Sequence, residues 1–383
     1  MIEERIKAIC KILLESFEWA IREHKDSPVV IDFAEKRGFI MSDFERFRYG
    51  YCYRSIQKTF EHKSNINKLL PFYQAHKFQS PQEIRDLIHR DLKRMGILKE
   101  STRDDSLYCP LAGRFIIPIF NQEGEVVSFA GRKINDDNPK SPKYINGDTT
   151  AAYEKSKILY GAHQFNSSKK KLPFIIINEG YFDTSSLARI GYFNNVALSG
   201  VACSPEQFKM LFSKSDNLLF NLDGDEAGYN SAIKSVLNSL PLLSENRSIR
   251  VLFNEPGEDP DSITTKSFGD KLDMAYAQGL DLTPELEKSI ATEVREEYSQ
   301  ILRNNSKCIT HVLKYAVERE FPNNPDKQKI RLMQFACKAP YGSKTRGQIV
   351  KQAMLMDNAP KKAVEHAASH VGEINRQTQS MSV

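Results

Sequence analysis

The chain has 383 residues, of which 40% are hydrophobic and 27% charged, and its formal net charge is +5. This length can bury two or three cores, and no apolar run reaches the roughly 20 residues that a membrane-spanning helix needs. The six cysteines are far apart and form no C-x-x-C pair, so the sequence indicates neither a zinc ribbon nor a disulfide framework. A reducing cytoplasm is therefore the expected location, without membrane association. The modest positive charge permits a polyanionic partner but does not by itself argue for one.

The first hundred residues are predicted to be mostly helical. Apolar residues recur at helical spacing in the opening segment, IEERIKAICKILLESFEWAIREH. The segment SPQEIRDLIHRDLKRMG has a Ser cap, an early Pro and a terminal Gly, which are helix start and stop signals. From about Leu111, RFIIPIFNQEGEVVSFAGRKI contains two apolar runs separated by turn residues at Gln122–Gly124, which predicts a β-hairpin.

The middle of the chain alternates apolar runs with helical stretches. The runs are FIII, NVALSG, NLLFNL and IRVLFN, and the stretches between them include SSLARIG, SPEQFKMLFSK and AGYNSAIKSVLNSL. Strands that alternate with helices predict a parallel sheet built from βαβ units. After about Leu282 only helices are predicted.

Acidic residues follow three of these predicted strands. Glu179 comes directly after FIIIN, Asp223 and Asp225 follow LLFNL, and Asp259 and Asp261 follow IRVLF within NEPGEDPDS. In an open parallel sheet, active sites lie at the carboxyl ends of the strands. Carboxylates brought together there repel one another unless a cation compensates, and Mg²⁺ prefers oxygen ligands. A single acid at a loop tip is usually a solvated turn residue, but three clusters at successive strand ends favour a metal site.

These acidic segments resemble the Toprim domain, which has a Glu after its first strand and a D-x-D after a later one. The forms EGYFDTSSLARIG, LDGDEAG and GEDPDS are similar to those of DnaG-type bacterial replicative primases. Upstream, GRFIIPIFNQEGEVVSFAGRKIND, SPKYINGDTT and YEKSKILYG resemble the segments that precede Toprim in those primases. The resemblance covers about Phe33–Ile263 strongly and the helical tail weakly.

The resemblance implies a mixed α/β fold with three subdomains. Residues 1–166 would form an N-terminal mixed helical and β-hairpin basic subdomain. Residues 167–282 would form the Toprim catalytic subdomain around a central Rossmann-like parallel sheet. Residues 283–383 would form a C-terminal helical bundle.

The resemblance also implies roles for individual residues. The primary metal ligands and catalytic acids would be Glu179, Asp223 and Asp225, and the supporting acids would be Asp183, Asp259 and Asp261. The residues expected to bind nucleic acid or nucleotide are Arg37, Arg114, Arg132, Lys143 and Lys155, together with Tyr144, which is expected to stack a base. For Lys143 a plain solvated lysine, and for Tyr144 a core tyrosine, are equally open interpretations.

The implied activity is synthesis of short RNA primers by Mg²⁺-dependent nucleotidyl transfer, with Mn²⁺ as a substitute. The substrates would be ribonucleoside triphosphates and a single-stranded DNA template. A Toprim nuclease would use the same acids with water as the nucleophile, and a primase-derived binding module without turnover is a third interpretation. Primases of this type also have a zinc-binding and a helicase-binding module, and neither is recognisable in this sequence. No zinc is therefore expected, and a replicative helicase or a separate zinc-binding module is the expected protein partner.

Overall fold

The computed structural model describes residues 2–356, apart from 25–26, 40, 54–55, 74–79, 103, 136–138, 167 and 199. The chain divides into two compact units: Met1–Ser167 with Thr265–Ala291, and Ser168–Thr264 with Thr292–Val383. The mixed α/β class predicted from the sequence is confirmed. The division into three subdomains stays a prediction, and residues 357–383 of the predicted helical bundle lie outside the described residues. No helix within the described ranges is long and apolar enough to cross a membrane.

The first unit packs helices against a small antiparallel sheet. Its helices are α1 (Ile2–Glu23), α2 (Pro28–Lys36), α3 (Met41–Arg46), α4 (Lys63–Tyr73), α5 (Pro81–Arg94) and α6 (His163–Asn166). Its strands are β1 (Gly50–Tyr51), β2 (Lys99–Glu100), β3 (Leu107–Tyr108), β4 (Arg114–Phe120), β5 (Val126–Lys133) and β6 (Tyr144–Asn146). The main sheet has the order β1-β4-β5-β6, and β4 and β5 form the predicted hairpin.

The helical periodicity of α1 explains how this unit is held together. Apolar residues on one face of α1 are buried, among them Ile9, Leu13 and Phe17. Phe17 packs edge-on against Phe129 of β5, with 5.1 Å between ring centroids. The start of α5 has the predicted cap: Ser80 accepts a hydrogen bond from the backbone of Glu83, whose carboxylate accepts one in return.

The second unit is built on a five-stranded sheet. Its strands are β7 (Ile175–Asn178), β8 (Asn195–Ala197), β9 (Asn217–Leu222), β10 (Ser248–Phe253) and β11 (Lys307–Cys308). Its helices are α7 (Tyr181–Arg189), α8 (Pro205–Lys214), α9 (Glu226–Ser239), α12 (Ile309–Glu320), α13 (Pro325–Lys338) and α14 (Lys344–Met354). The boundary between the units falls within α10 (Pro260–Ala277) and α11 (Pro284–Asn305). The sheet order is β11-β10-β9-β7-β8, with the four strands β7 to β10 parallel.

The parallel strands are covered on both faces, which is why they appear in the sequence as unbroken apolar runs. Ile175, Ile176 and Ile177 of β7 are fully buried. The prediction that only helices follow Leu282 was wrong in one place, because β11 pairs antiparallel with β10. A two-residue strand is too short to produce a periodic signal in the sequence.

Candidate metal centre

Carboxylates gather at the carboxyl edge of the parallel sheet. Glu179 follows β7, Asp223 follows β9, Asp259 precedes α10, and Asp183 lies in the first turn of α7. Carboxylate oxygens of Asp183, Asp223 and Asp259 all lie within 4.8 Å of one another. Three acidic oxygen ligands at this spacing are suited to a divalent metal ion.

Asp183 is the most deeply placed of these acids. Its Oδ2 accepts a hydrogen bond from the backbone N–H of Gly180 at 2.8 Å, and its Oδ1 accepts one from the N–H of Asp261 at 3.3 Å. Burial, and then the neighbouring charge of Asp223, raise the pKa of Asp183 well above its ordinary value. A cation bound between these carboxylates would offset their repulsion and favour the ionised form of Asp183.

Glu179 occupies a close-fitting recess. Burial, and then the charge of Asp223, raise the pKa of Glu179 to about 7. Its Oε1 is buried and has no hydrogen-bond partner within the described part of the chain. A Cβ added to Gly228 would lie 2.7 Å from that oxygen and 2.3 Å from the carbonyl oxygen of Asp223. A buried carboxylate oxygen without a partner fits a site that is completed by a cation.

The two other predicted ligands are placed differently. Asp225 is exposed and caps α9, because its Oδ1 accepts a hydrogen bond from the N–H of Gly228 at 2.7 Å. Asp261 is buried, and its carboxylate accepts a hydrogen bond from the hydroxyl of Ser186. The described geometry therefore places Asp183, Asp223 and Asp259 in one cluster and gives Asp225 and Asp261 hydrogen bonds that shape the surrounding backbone. The ligand roles of all six acids stay predictions.

Gly224 brings two loops of the site together. Its N–H donates to the carbonyl oxygen of Glu258 at 3.0 Å, and a Cβ at this position would lie 1.9 Å from the carbonyl oxygen of Glu255. Only glycine allows this approach, so the loop after β9 lies directly against the loop after β10. This contact joins the strand ends that carry Asp223 and Asp259.

The predicted basic residues lie in the first unit, with Arg114 in β4, Arg132 in β5 and Lys143 directly before β6. Arg132 of β5 is opposite Tyr144 of β6, and its guanidinium carbon lies 5.1 Å from the centre of the tyrosine ring. Lys143 is exposed, while its backbone carbonyl accepts a hydrogen bond from the N–H of Lys133 at 2.9 Å. The turn thus fixes the backbone and leaves the lysine side chain at the surface.

Arg114 has a different environment from Arg132 and Lys143. Its buried guanidinium donates to the carbonyl oxygens of Gly131 at 3.3 Å and Pro142 at 2.9 Å, and to the hydroxyl of Ser141 at 2.6 Å. Burial, and then the charge of Arg132, lower the pKa of Arg114. These hydrogen bonds hold the segment that leads to Lys143.

The last two predicted cations are partly buried. Arg37 ends α2, and its carbonyl oxygen accepts a hydrogen bond from the hydroxyl of Thr265 at 3.4 Å. Lys155 begins a short 3-10 helix, and burial lowers the pKa of its ammonium group. Contacts of any of these cations with nucleic acid stay predictions.

Comparison with known proteins identifies the two parts of the chain. The family model for the N-terminal domain of the DNA primase catalytic core matches residues 17–166, and a Toprim-like model matches residues 176–264. The chain therefore contains the N-terminal domain of a DNA primase catalytic core, followed by a Toprim-like domain. The predicted Toprim resemblance is therefore confirmed.

Individual relatives agree with this assignment. A DNA primase of Pseudomonas aeruginosa is 36% identical over 168 residues, which are 44% of this chain and 25% of that protein. The crystal structure of a DNA primase domain from Pseudomonas aeruginosa has a TM-score of 0.71 at 22% identity, covering 95% of this chain and 100% of that one. A DnaG primase catalytic domain bound to single-stranded DNA has a TM-score of 0.68 at 19% identity, covering 92% of this chain and 98% of that one. These two structures show a shared fold.

The chain spans only part of the length of its curated relatives. The aligned segment covers 25% of the DNA primase of Pseudomonas aeruginosa and 37% of a DNA primase of Helicobacter pylori. The activity, substrates and partners of those longer proteins are therefore matters for a proposal about this chain.

Two features of the site were not predicted from the sequence. One is a cavity of about 660 Å³ beside the D-x-D segment, lined in part by Tyr229, Phe253 and Tyr315. Tyr315 comes from α12, the helix that follows β11, and the sequence could not indicate that this helix contributes to this edge. The other is a chain of buried asparagines beneath the acids. Its signal was present, because an asparagine lies at or near the end of each of the three acid-bearing strands.

Proposed function

We propose that this chain is the catalytic core of a DNA primase, which synthesises short RNA primers on single-stranded DNA from ribonucleoside triphosphates. The observation that supports this most directly is the cluster of Asp183, Asp223 and Asp259 at the carboxyl edge of a Toprim-like sheet, in a chain that also has the primase N-terminal domain. The enzyme would be a nucleotidyltransferase. Mg²⁺ is the proposed cofactor, since it prefers oxygen ligands and is often shared between carboxylates and substrate phosphates.

The proposed reaction joins a 3′-hydroxyl to the α-phosphorus of an incoming nucleotide and releases pyrophosphate. Bound divalent cations would neutralise the charge that develops on the transferred phosphoryl group. The chain would supply the ligands, with Glu179, Asp223 and Asp225 as the primary acids and Asp183, Asp259 and Asp261 as the supporting acids. No side chain has to act as a nucleophile, because positioning and electrostatics supply most of the catalysis.

The template is proposed to bind the basic residues of the first unit. Lys143 presents an exposed ammonium group for a backbone phosphate, and Arg132 holds Tyr144 by a cation–π contact. A tyrosine ring fixed in this way can stack an unpaired base. Phosphate and stacking contacts carry little sequence information, so template choice is proposed to depend on a separate zinc-binding module or a helicase.

The test is incorporation of labelled ribonucleotides on single-stranded DNA in the presence of Mg²⁺. Asp223→Ala is expected to abolish incorporation. The matched control is Asp216→Ala, which removes an acid at the amino end of the same strand, where it pairs with Lys171 at 2.6 Å. That variant is expected to retain activity.

Other outcomes would replace the proposal. Cleavage of the template, lost in Asp223→Ala, would identify a Toprim nuclease. Template binding without incorporation or cleavage, in Mg²⁺ and in Mn²⁺, would identify a binding module. Normal incorporation by Asp223→Ala would refute the assignment of the acids.

A further inference from the structure

Beneath the carboxylates, asparagine side chains form a continuous hydrogen-bonded chain across four parallel strands. Asn178 of β7 donates to Oδ1 of Asn195 in β8 at 2.9 Å. Asn221 of β9 donates to Oδ1 of Asn178 at 3.4 Å and to the hydroxyl oxygen of Tyr298 in α11 at 2.6 Å. Asn254, directly after β10, donates to Oδ1 of Asn221 at 3.2 Å. We call Asn178, Asn195, Asn221 and Asn254, together with Tyr298, the carboxamide network.

Apart from the half-buried Asn254, the carboxamide network is buried. Asn178, Asn195 and Asn221 are fully buried, and Tyr298 is 1% exposed. Parallel strands that are covered on both faces normally carry apolar side chains, and a buried polar group is costly unless it is hydrogen-bonded. Apolar side chains at these positions would bury surface area, but their contacts would not fix how the neighbouring strands are aligned. Paired carboxamides fix the spacing of neighbouring strands, because each hydrogen bond has a defined length and direction.

The carboxamide network is directly joined to the acids. Asn178 precedes Glu179 in the chain, and the side chain of Asn254 also donates to the carbonyl oxygen of Leu222 at 2.7 Å. That carbonyl belongs to the residue immediately before Asp223. Burial chiefly, with smaller contributions from the charges of Asp183 and Asp259, raises the pKa of Tyr298. The same strand ends thus carry both the repelling carboxylates and the hydrogen bonds that join the strands.

We propose that the carboxamide network is a positioning device that holds the strand ends at the spacing a divalent cation requires. Without it, repulsion among the carboxylates would move the strand ends apart, and binding a cation would first have to bring them back. With it, the spacing is set when the protein folds. The inference rests on the proposed metal site, and it concerns cation affinity whatever reaction the site performs.

The experiment is calorimetric titration of the full chain with Mn²⁺ in the absence of nucleotides. Tyr298→Phe removes one hydroxyl and keeps the ring, so it is the mildest variant. Asn221→Leu removes the central carboxamide. Residues that support metal ligands typically change affinity by about 10- to 100-fold, and we expect about tenfold weaker binding in Tyr298→Phe and more in Asn221→Leu.

The matched control is Asn217→Leu at the amino end of β9. Asn217 also makes side-chain hydrogen bonds to neighbouring segments, donating to the carbonyl oxygen of Pro173 at 2.9 Å and accepting from Ser248 at 2.7 Å. Its replacement disturbs the same strand at the end that has no part in the site. We expect unchanged Mn²⁺ affinity, and urea unfolding in metal-free buffer measures the stability of all three variants.

Each outcome decides the question. Wild-type Mn²⁺ affinity in folded Tyr298→Phe and Asn221→Leu would overturn the inference and leave the network a purely structural feature. Equal weakening by Asn217→Leu would overturn it as well, because loss of sheet stability would then explain the effect. Should Asn221→Leu fail to fold, Tyr298→Phe alone decides. Weakened affinity in the network variants, with no primer synthesis by the wild type, would support the inference and refute the proposed function.

Discussion

Substituting Gly228 by alanine should reverse the usual effect of this change in a helix. Gly228 lies in the first turn of α9, and its φ is not in the left-handed region. Alanine in place of glycine inside a helix normally stabilises a protein by about 0.5–1 kcal/mol. The added methyl group would here lie 2.3 Å from the carbonyl oxygen of Asp223 and 2.7 Å from Oε1 of Glu179.

The magnitude follows from which atom must move. The carbonyl oxygen of Asp223 is backbone, so relieving that contact displaces the residue that carries a candidate ligand. Overpacking of this kind costs about 1–3 kcal/mol, which exceeds the gain in helix propensity. We expect Gly228→Ala to lower the free energy of unfolding by up to about 2 kcal/mol and to weaken divalent-cation binding.

The assay is urea unfolding and Mn²⁺ titration, with Gly347→Ala as the control. Gly347 lies within α14 in the same unit, is exposed, and has no atom within 4 Å of an added Cβ. That substitution is expected to stabilise the protein slightly and to leave cation affinity unchanged. If Gly228→Ala is stabilised as much as Gly347→Ala and binds Mn²⁺ normally, the recess around Glu179 is not as tight as the structure indicates.

Three further predictions concern charge. The pKa of Glu179 is raised from 4.5 to about 7, so the folded metal-free protein holds this proton more tightly than the unfolded chain. The stabilisation that this proton provides is fully present below pH 4.5 and is lost as the pH rises through 7. Urea unfolding of the wild type across that range should show this loss, and the Glu179→Gln variant should not show it. Lys143→Ala should lower the salt dependence of template binding by about one unit of slope in a plot of log affinity against log salt, and an unchanged slope would exclude a phosphate contact. Arg114→Ala should instead lower the free energy of unfolding by about 1–3 kcal/mol, because the carbonyl oxygens of Gly131, in a buried hydrogen bond, and of Pro142, in a partly buried one, each lose a donor; an unchanged urea midpoint would contradict this.

Much of the fold could be predicted because it depends on local rules. Apolar runs that alternate with helical stretches gave the parallel sheet, and turn residues between two apolar runs gave the hairpin of β4 and β5. The rule that sites lie at the carboxyl edge of a parallel sheet predicted that the acids lie close together. The short strand β11 was not predicted, because it forms only through its tertiary contact with β10. Two residues are too few to show a strand pattern in the sequence.

It was harder to predict from the sequence which acidic residues belong to the cluster. Asp183 follows its strand by five residues, yet the first turn of α7 brings it back over the sheet edge, and the N–H of Gly180 fixes its carboxylate. Asp225 is one residue from Gly224 in the most recognisable motif, but its side chain is turned to cap α9. A residue's distance from a strand end in the sequence does not specify where its side chain points, because the following helix decides that.

The asparagines show why a buried supporting network escapes notice when a sequence is examined one element at a time. Asparagine is unfavourable in strands and common in turns, so Asn178, Asn221 and Asn254 each appear to mark the end of an apolar run. Taken together they are more informative, since each lies within two residues of an acid: Asn178 before Glu179, Asn221 before Asp223, and Asn254 before Glu255. A turn residue has no reason to recur at that spacing on three strands. A side chain that must link adjacent strands does, because parallel strands bring equivalent positions to the same edge. The recurrence of an amide beside an acid is therefore a pattern that sequence reasoning can use to find residues that support a metal site.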